Sequence, residues 1–247
     1  MESNYKCLLA YDGTRYLGWQ KTKEGPSIEE ELEKALQEIL QEEILLQAAS
    51  RTDRGVHAKG QVVNFRTSKK VDVKKLLKGV NALLPNDIAL LSIEKAYPTF
   101  HPTLDAKGKE YHYEIFTGKV LLPQKRHFVW HYPYPLALEK MLEAKETFIG
   151  QKEYQSFCNI RTEDGSREIY SIDIEEREKD HFHFIIKGRS FLYKMARTIV
   201  GSLVYVGRGK IEVDSLPLIF TAKDRRLAGI TAPAHGLTLM NVFYLLE

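Results

Sequence analysis

Cysteine is nearly missing from this chain: Cys7 and Cys158 are the only two in 247 residues. Their separation suggests neither a disulfide framework nor a metal site. A reducing compartment, the cytoplasm, is therefore expected. Long apolar runs are missing too, and nothing approaches the roughly 20 residues needed to cross a bilayer. The first residues, Met1-Glu2-Ser3-Asn4-Tyr5-Lys6, lack the apolar centre of a signal peptide. Net charge is also small, at +3, and a balance that close to zero says little about partners. Its distribution says more.

Acid is loaded early, in Glu29, Glu30, Glu31, Glu33, Glu38, Glu42 and Glu43. Base collects elsewhere, in Arg66, Lys69, Lys70, Lys74, Lys75 and Lys78, and again in Arg189, Lys194, Arg197, Arg208 and Lys210. Binding a polyanion requires local positive surface rather than a basic whole. Hydrophobic residues at 43% and charged residues at 28% describe a globular chain of one large or two smaller domains.

Periodicity predicts the elements. A strand runs from Lys6 to Tyr11 and turns at Asp12-Gly13-Thr14. Ser27 and Glu30 form a capping box for a helix whose apolar face is Ile28, Leu32, Ala35, Leu36, Ile39 and Leu40. Strands follow at Ile44 to Ala49 and Gln61 to Arg66. Asp72 caps a helix to about Leu84, and Ile88 to Lys95 is another strand. After a turn-rich stretch from Pro98 to Lys109 the pattern restarts. Tyr111 to Phe116 alternates as a strand, and Leu136 to Phe148 is helical, with Leu138, Met141, Leu142 and Phe148 as core. Residues 151–165 read as loop. Strands at Ile169 to Glu175 and Phe182 to Lys187 are joined by a charged turn. Leu192 to Val204 is an amphipathic helix, Leu216 to Phe220 and Lys223 to Leu227 are short helices, and Leu237 to Leu246 is a closing strand.

The expected fold is α+β. Two similar sheet-and-helix halves, residues 1–105 and 106–247, carry mainly antiparallel strands, form a joint sheet and leave an active-site cleft between them.

One stretch organises the rest: Ala49-Ser50-Arg51-Thr52-Asp53-Arg54-Gly55-Val56-His57-Ala58-Lys59-Gly60. Gly55 and Gly60 are read as residues that let a tight loop take positive φ. Arg51 and Arg54 set the Asp53 carboxylate inside a cationic rim, suited to drawing in a polyanion and acting on it. The same residues also make ordinary turn chemistry, with Asp53 bonding its own backbone.

This stretch closely resembles the catalytic loop of the TruA family, tRNA pseudouridine synthase A, usually written Gly-Arg-Thr-Asp-x-Gly-Val-His. Ser50 stands where that pattern has Gly. Companion segments match in order: Lys109-Glu110-Tyr111-His112-Tyr113, Met195-Ala196-Arg197-Thr198-Ile199-Val200-Gly201, and Gly236-Leu237-Thr238-Leu239. Weaker echoes are Tyr11-Asp12-Gly13, Gly18-Trp19-Gln20, residues 79–85 and Ala222-Lys223-Asp224-Arg225. Thr103 stands where the family usually carries an arginine, and residues 158–167 match poorly.

The resemblance implies isomerisation of uridine to pseudouridine in tRNA, at positions 38 to 40 of the anticodon arm. It implies a homodimer, and neither metal nor organic cofactor. Asp53 is implied as the essential carboxylate, acting as a nucleophile at C1′ or as a base at C2′. Arg197 would partner it as a bidentate fork, with the small Gly201 leaving room one turn later. Tyr111 would stack on the flipped uracil and relay the C5 proton, and Leu237 would pack on the opposite face. Arg51 would hold or replace the flipped nucleotide. Tyr113 is assigned to core packing and His57 to support of the loop.

Two other classes fit the residues without the resemblance. One is a noncatalytic RNA-binding module with Tyr111 and Tyr113 as a stacking platform. The other is a hydrolase using Asp53 on a small phosphorylated or glycosidic substrate, which needs a second carboxylate or a metal.

Overall fold

A computed structural model describes residues 2–245. Its contacts divide the chain into two units, the first running to Lys107 and resuming at Leu239, the second spanning Gly108–Thr238.

In the first unit, β1 (Ser3–Tyr11) leads through a 3-10 turn to α1 (Ile28–Leu40). The Ser27 hydroxyl accepts from the Glu30 N–H at 3.3 Å, a cap worth about 1 kcal/mol. Ile28, Leu32, Ala35, Leu36 and Leu40 form the buried stripe of α1. The next strand, β2, is only Gln47–Ala48, far shorter than Ile44 to Ala49. The Gln37 side-chain amide donates to the Ile44 carbonyl, and Leu45 is 70% exposed. By contrast β3 (His57–Thr67) starts four residues earlier than Gln61. Its pairing with β1, Tyr11 opposite Ala58 and Leu9 opposite Gln61, recruits the end of the supposed loop.

Asp72 accepts from the N–H groups of Lys74 and Lys75 and starts α2 (Val73–Leu83). Then β4 (Ile88–Lys95) pairs with the other edge of β1. The order in this unit is β4-β1-β3, with β2 also on β3. α2 packs on β4 and on α1.

The second unit opens with β5 (Gly108–Phe116), followed by the two-residue β6 (Trp130–His131). Next come α3 (Leu138–Lys145), β7 (Gly150–Glu153), β8 (Ser166–Glu178), β9 (His181–Gly188), α4 (Met195–Gly207) and α5 (Leu216–Ala222). Strand order is β5-β9-β8-β7, all antiparallel, while β6 runs parallel to β5. α3 packs on α4 and β8. The expected α+β class with mainly antiparallel strands is thus borne out.

Two expectations in this unit change. Leu142 is not core; it is exposed, and Ala144 is buried beside Met141 instead. Residues 151–165 are not simply loop, because they hold β7 and a 3-10 turn over Gln155–Phe157. That turn buries Tyr154 and Phe157 against Phe148 and Phe220, with ring centroids 4.7 to 6.1 Å apart. Aromatic packing of this kind overrides a polar local pattern.

The closing strand, β10 (Leu237–Phe243), differs in placement from a C-terminal half running 106–247. Leu237 and Thr238 group with the second unit, but residues 239–245 group with the first. Val242 and Tyr244 pack there on Ala49, Val62 and Phe100. The final part of the expected strand, Leu246, lies outside the described residues. Among the described residues, no helix is long and apolar enough to cross a membrane.

Candidate active site

The Asp53 loop is built by groups that come from three places in the first unit. The Trp19 N–H donates to the Thr52 carbonyl at 3.0 Å, and Gly18 and Asp53 form an isolated antiparallel bridge. A side chain at Gly18 (φ +106°) would collide with the Thr52 carbonyl oxygen at 2.7 Å. Glycine is therefore required there for both space and backbone conformation. The turn itself closes with the Val56 N–H on the Asp53 carbonyl, 3.1 Å, and Gly55 at φ +77°.

Gly60 does not take positive φ. It lies under the Met240 carbonyl, where a Cβ would sit 2.1 Å from the oxygen. Its role is close approach of another backbone rather than a turn.

Beneath the loop lies a buried amide. Gln61 is fully buried; its Oε1 accepts the Ser50 N–H at 3.2 Å and its Nε2 donates to the Ser50 carbonyl at 2.6 Å. Nε2 also reaches the Tyr11 hydroxyl at 3.3 Å, which lies 2.8 Å from the Thr52 hydroxyl. The residues on either side of Arg51 are thus clamped, and Asp53 follows directly. His57 is buried, and its Nδ1 accepts from the Gly13 N–H at 3.0 Å. That contact ties the far side of the loop to the turn after β1. Arg51 and Arg54 are exposed, while Asp53 is partly exposed. Thr103, where an arginine was expected, donates its hydroxyl to the Ala48 carbonyl at 2.7 Å, just upstream of the loop.

The second unit carries Tyr111, Arg197 and Leu237. Tyr111 is buried on β5, and Phe191 meets it edge-on with ring centroids 5.0 Å apart. Tyr113, two residues on, is fully buried, and its hydroxyl donates to the Pro233 carbonyl at 2.7 Å. Burial pushes the Tyr113 phenol well up, opposed by nearby Arg197. A phenol so enclosed and already bonded is a packing residue.

Arg197 lies on α4, partly buried, with its Nε donating to the Ala232 carbonyl at 2.7 Å. The Ala232 N–H returns a bond to the Arg197 carbonyl at 3.1 Å. Gly201, one turn later, does not leave open room: a Cβ there would sit 1.8 Å from the Ile230 carbonyl oxygen. The glycine lets the 229–232 segment cross α4 closely, which is how Ala232 reaches Arg197. The same segment continues through Pro233 and Gly236, against the Tyr113 ring, to Leu237, which is buried at the start of β10. Arg197, Tyr113 and the strap carrying Leu237 are therefore one assembly, with Tyr111 on the same strand face as Tyr113.

Tyr11, Gly18, Gln61 and Phe191 are the parts that motif reasoning left without a role. Gly18 and Tyr11 had a weak signal in the echoes flanking the first turn. Gln61 had only its place at the head of an apolar strand.

A family model for tRNA pseudouridine synthases matches residues 8–103 and 144–245. The chain belongs to that family, isomerases that convert uridine to pseudouridine in tRNA. Within it, this sequence is similar over its whole span to proteins of the A type. It is 48% identical over 246 residues to tRNA pseudouridine synthase A 2 of Protochlamydia amoebophila (strain UWE25), covering 98% of this chain and 94% of that one. It is 41% identical over 243 residues to tRNA pseudouridine synthase A of Thermoanaerobacter sp. (strain X514), covering 98% and 99%. With tRNA pseudouridine synthase A 1 of Bacillus cereus (strain ZK / E33L) the identity is 39% over 242 residues, covering 97% and 98%. The resemblance read from the motifs is thereby borne out. Tyr111 falls in the interval between the two stretches that the family model matches.

Proposed function

We propose that this protein isomerises uridine to pseudouridine in the anticodon stem-loop of tRNA, at positions 38 to 40, with Asp53 as the essential carboxylate. The observation that carries the assignment is the clamp on the loop, in which Gln61, Tyr11 and Thr52 fix the backbone on both sides of Arg51 and up to Asp53. A carboxylate asked to act on one carbon of a substrate needs such a mounting.

A stacked uridine is out of reach, so the nucleotide is turned out of the stem at a cost of about a few kcal/mol. Arg51, at the exposed end of the loop, holds or replaces it. Tyr111 receives one face of the uracil and Leu237 the other. Asp53 then acts by one of two routes. As a nucleophile it bonds C1′ while the N1–C1′ pair leaves on the uracil, and C5 later displaces the carboxylate. As a base it removes the C2′ proton, a glycal forms as the uracil departs, and the Asp53 carboxylic acid returns that proton to C2′ as C5 adds to C1′. In both, the uracil turns, C5 bonds C1′, the C5 proton leaves through the Tyr111 hydroxyl, and N1 regains a proton. Arg197 balances and orients the carboxylate. Nothing is oxidised and no group is imported.

Release of a tritium label from C5 of uridine in tRNA tests the assignment. Asp53→Asn is expected to release none while binding tRNA within a few-fold of wild type; substantial release by that variant refutes it. A noncatalytic RNA-binding module would bind the tRNA and release no label even as wild type. Assembly as a homodimer spanned by tRNA belongs to the same proposal, supported by the family resemblance, and light scattering that finds single chains alone contradicts it.

A further inference from the structure

The side chains of β5 alternate. Lys109, Tyr111, Tyr113 and Ile115 share one face, and Glu110, His112 and Glu114 share the other. Lys109 and Tyr111 are thus neighbours on the face that the proposed reading gives to the substrate base, about 7 Å apart along the strand.

Lys109 differs from the other lysines of this chain in its surroundings. It is partly buried, and among the described residues it has no carboxylate within ion-pair reach. The acid next to it in sequence, Glu110, points to the opposite face. There it meets His112 at 2.7 Å and Lys187 at 3.5 Å. Directly across the ladder from Lys109 stands Gly188, which offers no side chain at all. The space a Cβ would take at Gly188 is closed by the Glu168 carbonyl, Ile169 and Phe191, and Phe191 is the ring set against Tyr111. Burial alone pushes the Lys109 ammonium down to about 8, with no neighbouring charge contributing.

A partly desolvated charge with no counter-ion is costly to keep. Lysines on a solvated face avoid that cost, and structural lysines inside a fold acquire an acid. Lys109 does neither, and it stands one strand repeat from Tyr111. RNA brings an anion with every nucleotide, and the base and phosphate of one nucleotide are separated by a span of the same order as that strand repeat.

We propose that Lys109 is a substrate-binding residue whose ammonium takes the backbone phosphate adjoining the nucleotide that Tyr111 receives. This rests on the reading of Tyr111 as the base-stacking residue. The contact positions the backbone and reads no sequence.

Lys109→Met keeps most of the apolar stem and removes the charge; Lys109→Gln does the same with a polar end; Lys109→Arg keeps the charge. Dissociation constants for an unmodified tRNA transcript are measured across a salt series, with single-turnover rates at saturating tRNA and thermal melts of the free protein. Lys109→Met is expected to bind on the order of tenfold more weakly, with the slope of log affinity against log salt reduced by about 0.7 to 0.9, one phosphate contact. Its melting temperature is expected to equal or exceed wild type, and its saturated rate to stay within about threefold. Lys109→Arg is expected to keep the wild-type slope. A wild-type slope in whichever of the Met and Gln variants folds overturns the assignment, as does a reduced slope in Lys109→Arg. A wild type that binds tRNA but releases no C5 label overturns the underlying reading of the site instead.

Discussion

Ala232 holds Arg197 from two directions, taking a bond from its Nε and giving one to its carbonyl. That fixes the plane of the guanidinium before any substrate arrives. A lysine supplies the charge but neither the planar fork nor the Nε donor. Arg197→Lys is expected to cut the single-turnover rate roughly 100-fold, the cost of one misplaced electrostatic partner, with the melting temperature little changed. A rate near wild type would separate Arg197 from the chemistry. Asp53, Tyr111 and Arg197 are proposed from the sequence because their residue types stand in ordered motifs. Gln61 was not legible there. A glutamine opening a strand looks like an edge residue facing water, and only the folded loop shows that both polar groups of Ser50 need its amide. Lys109 was visible as the base of its motif, but its isolation from acids depends on which way Glu110 points.

Among the elements, strands and helices with a clear period were read to within a few residues, α2 and β4 most closely. Failures came where contact across the fold outweighs local pattern. Residues 151–165 are held by an aromatic cluster whose members are spread from Phe148 to Phe220, and no window of sequence contains them all. β10 looked like the end of the second half and instead supplies its later residues to the first unit. Gly201 is the sharpest case, since a glycine inside a helix suggests room, whereas α4 needs it for the crossing of Ile230. Two substitutions separate these meanings. Gly79→Ala in α2 meets only the mobile end of Ile39, itself 37% exposed, and is expected to gain up to about 1 kcal/mol from helix propensity. Gly201→Ala is expected to lose roughly 1–3 kcal/mol by forcing the strap off the helix, and activity with it through Arg197. Urea denaturation of the pair checks this; equal stabilities would mean that the crossing yields without cost.

At the scale of the whole molecule, the polar face of β5 and β9 sets a limit on acid stability. His183 is buried there, with its Nε2 3.0 Å from His112 Nδ1 and 3.4 Å from Glu114. Desolvation foremost, then Arg177 and the histidines His112 and His181, push it from its ordinary 6.5 down to about 4, against the opposing pull of Glu175. The folded state therefore holds the neutral ring while the unfolded chain takes up a proton first. Stability from this group is fully present above about pH 6.5 and is lost as pH falls from there toward 4. His183→Gln is expected to show a shallower decline over that window in thermal melts, and a decline as steep as wild type would place the sensitivity elsewhere.

The central claim is that the clamped loop presents Asp53 to a uridine of the anticodon arm. Mapping of pseudouridine along an unmodified tRNA transcript, incubated with wild type or with Asp53→Asn, tests it most directly. New pseudouridine is expected within positions 38 to 40 for wild type and none for the variant. Modification by Asp53→Asn, or wild-type modification confined to another arm of the tRNA, would contradict it.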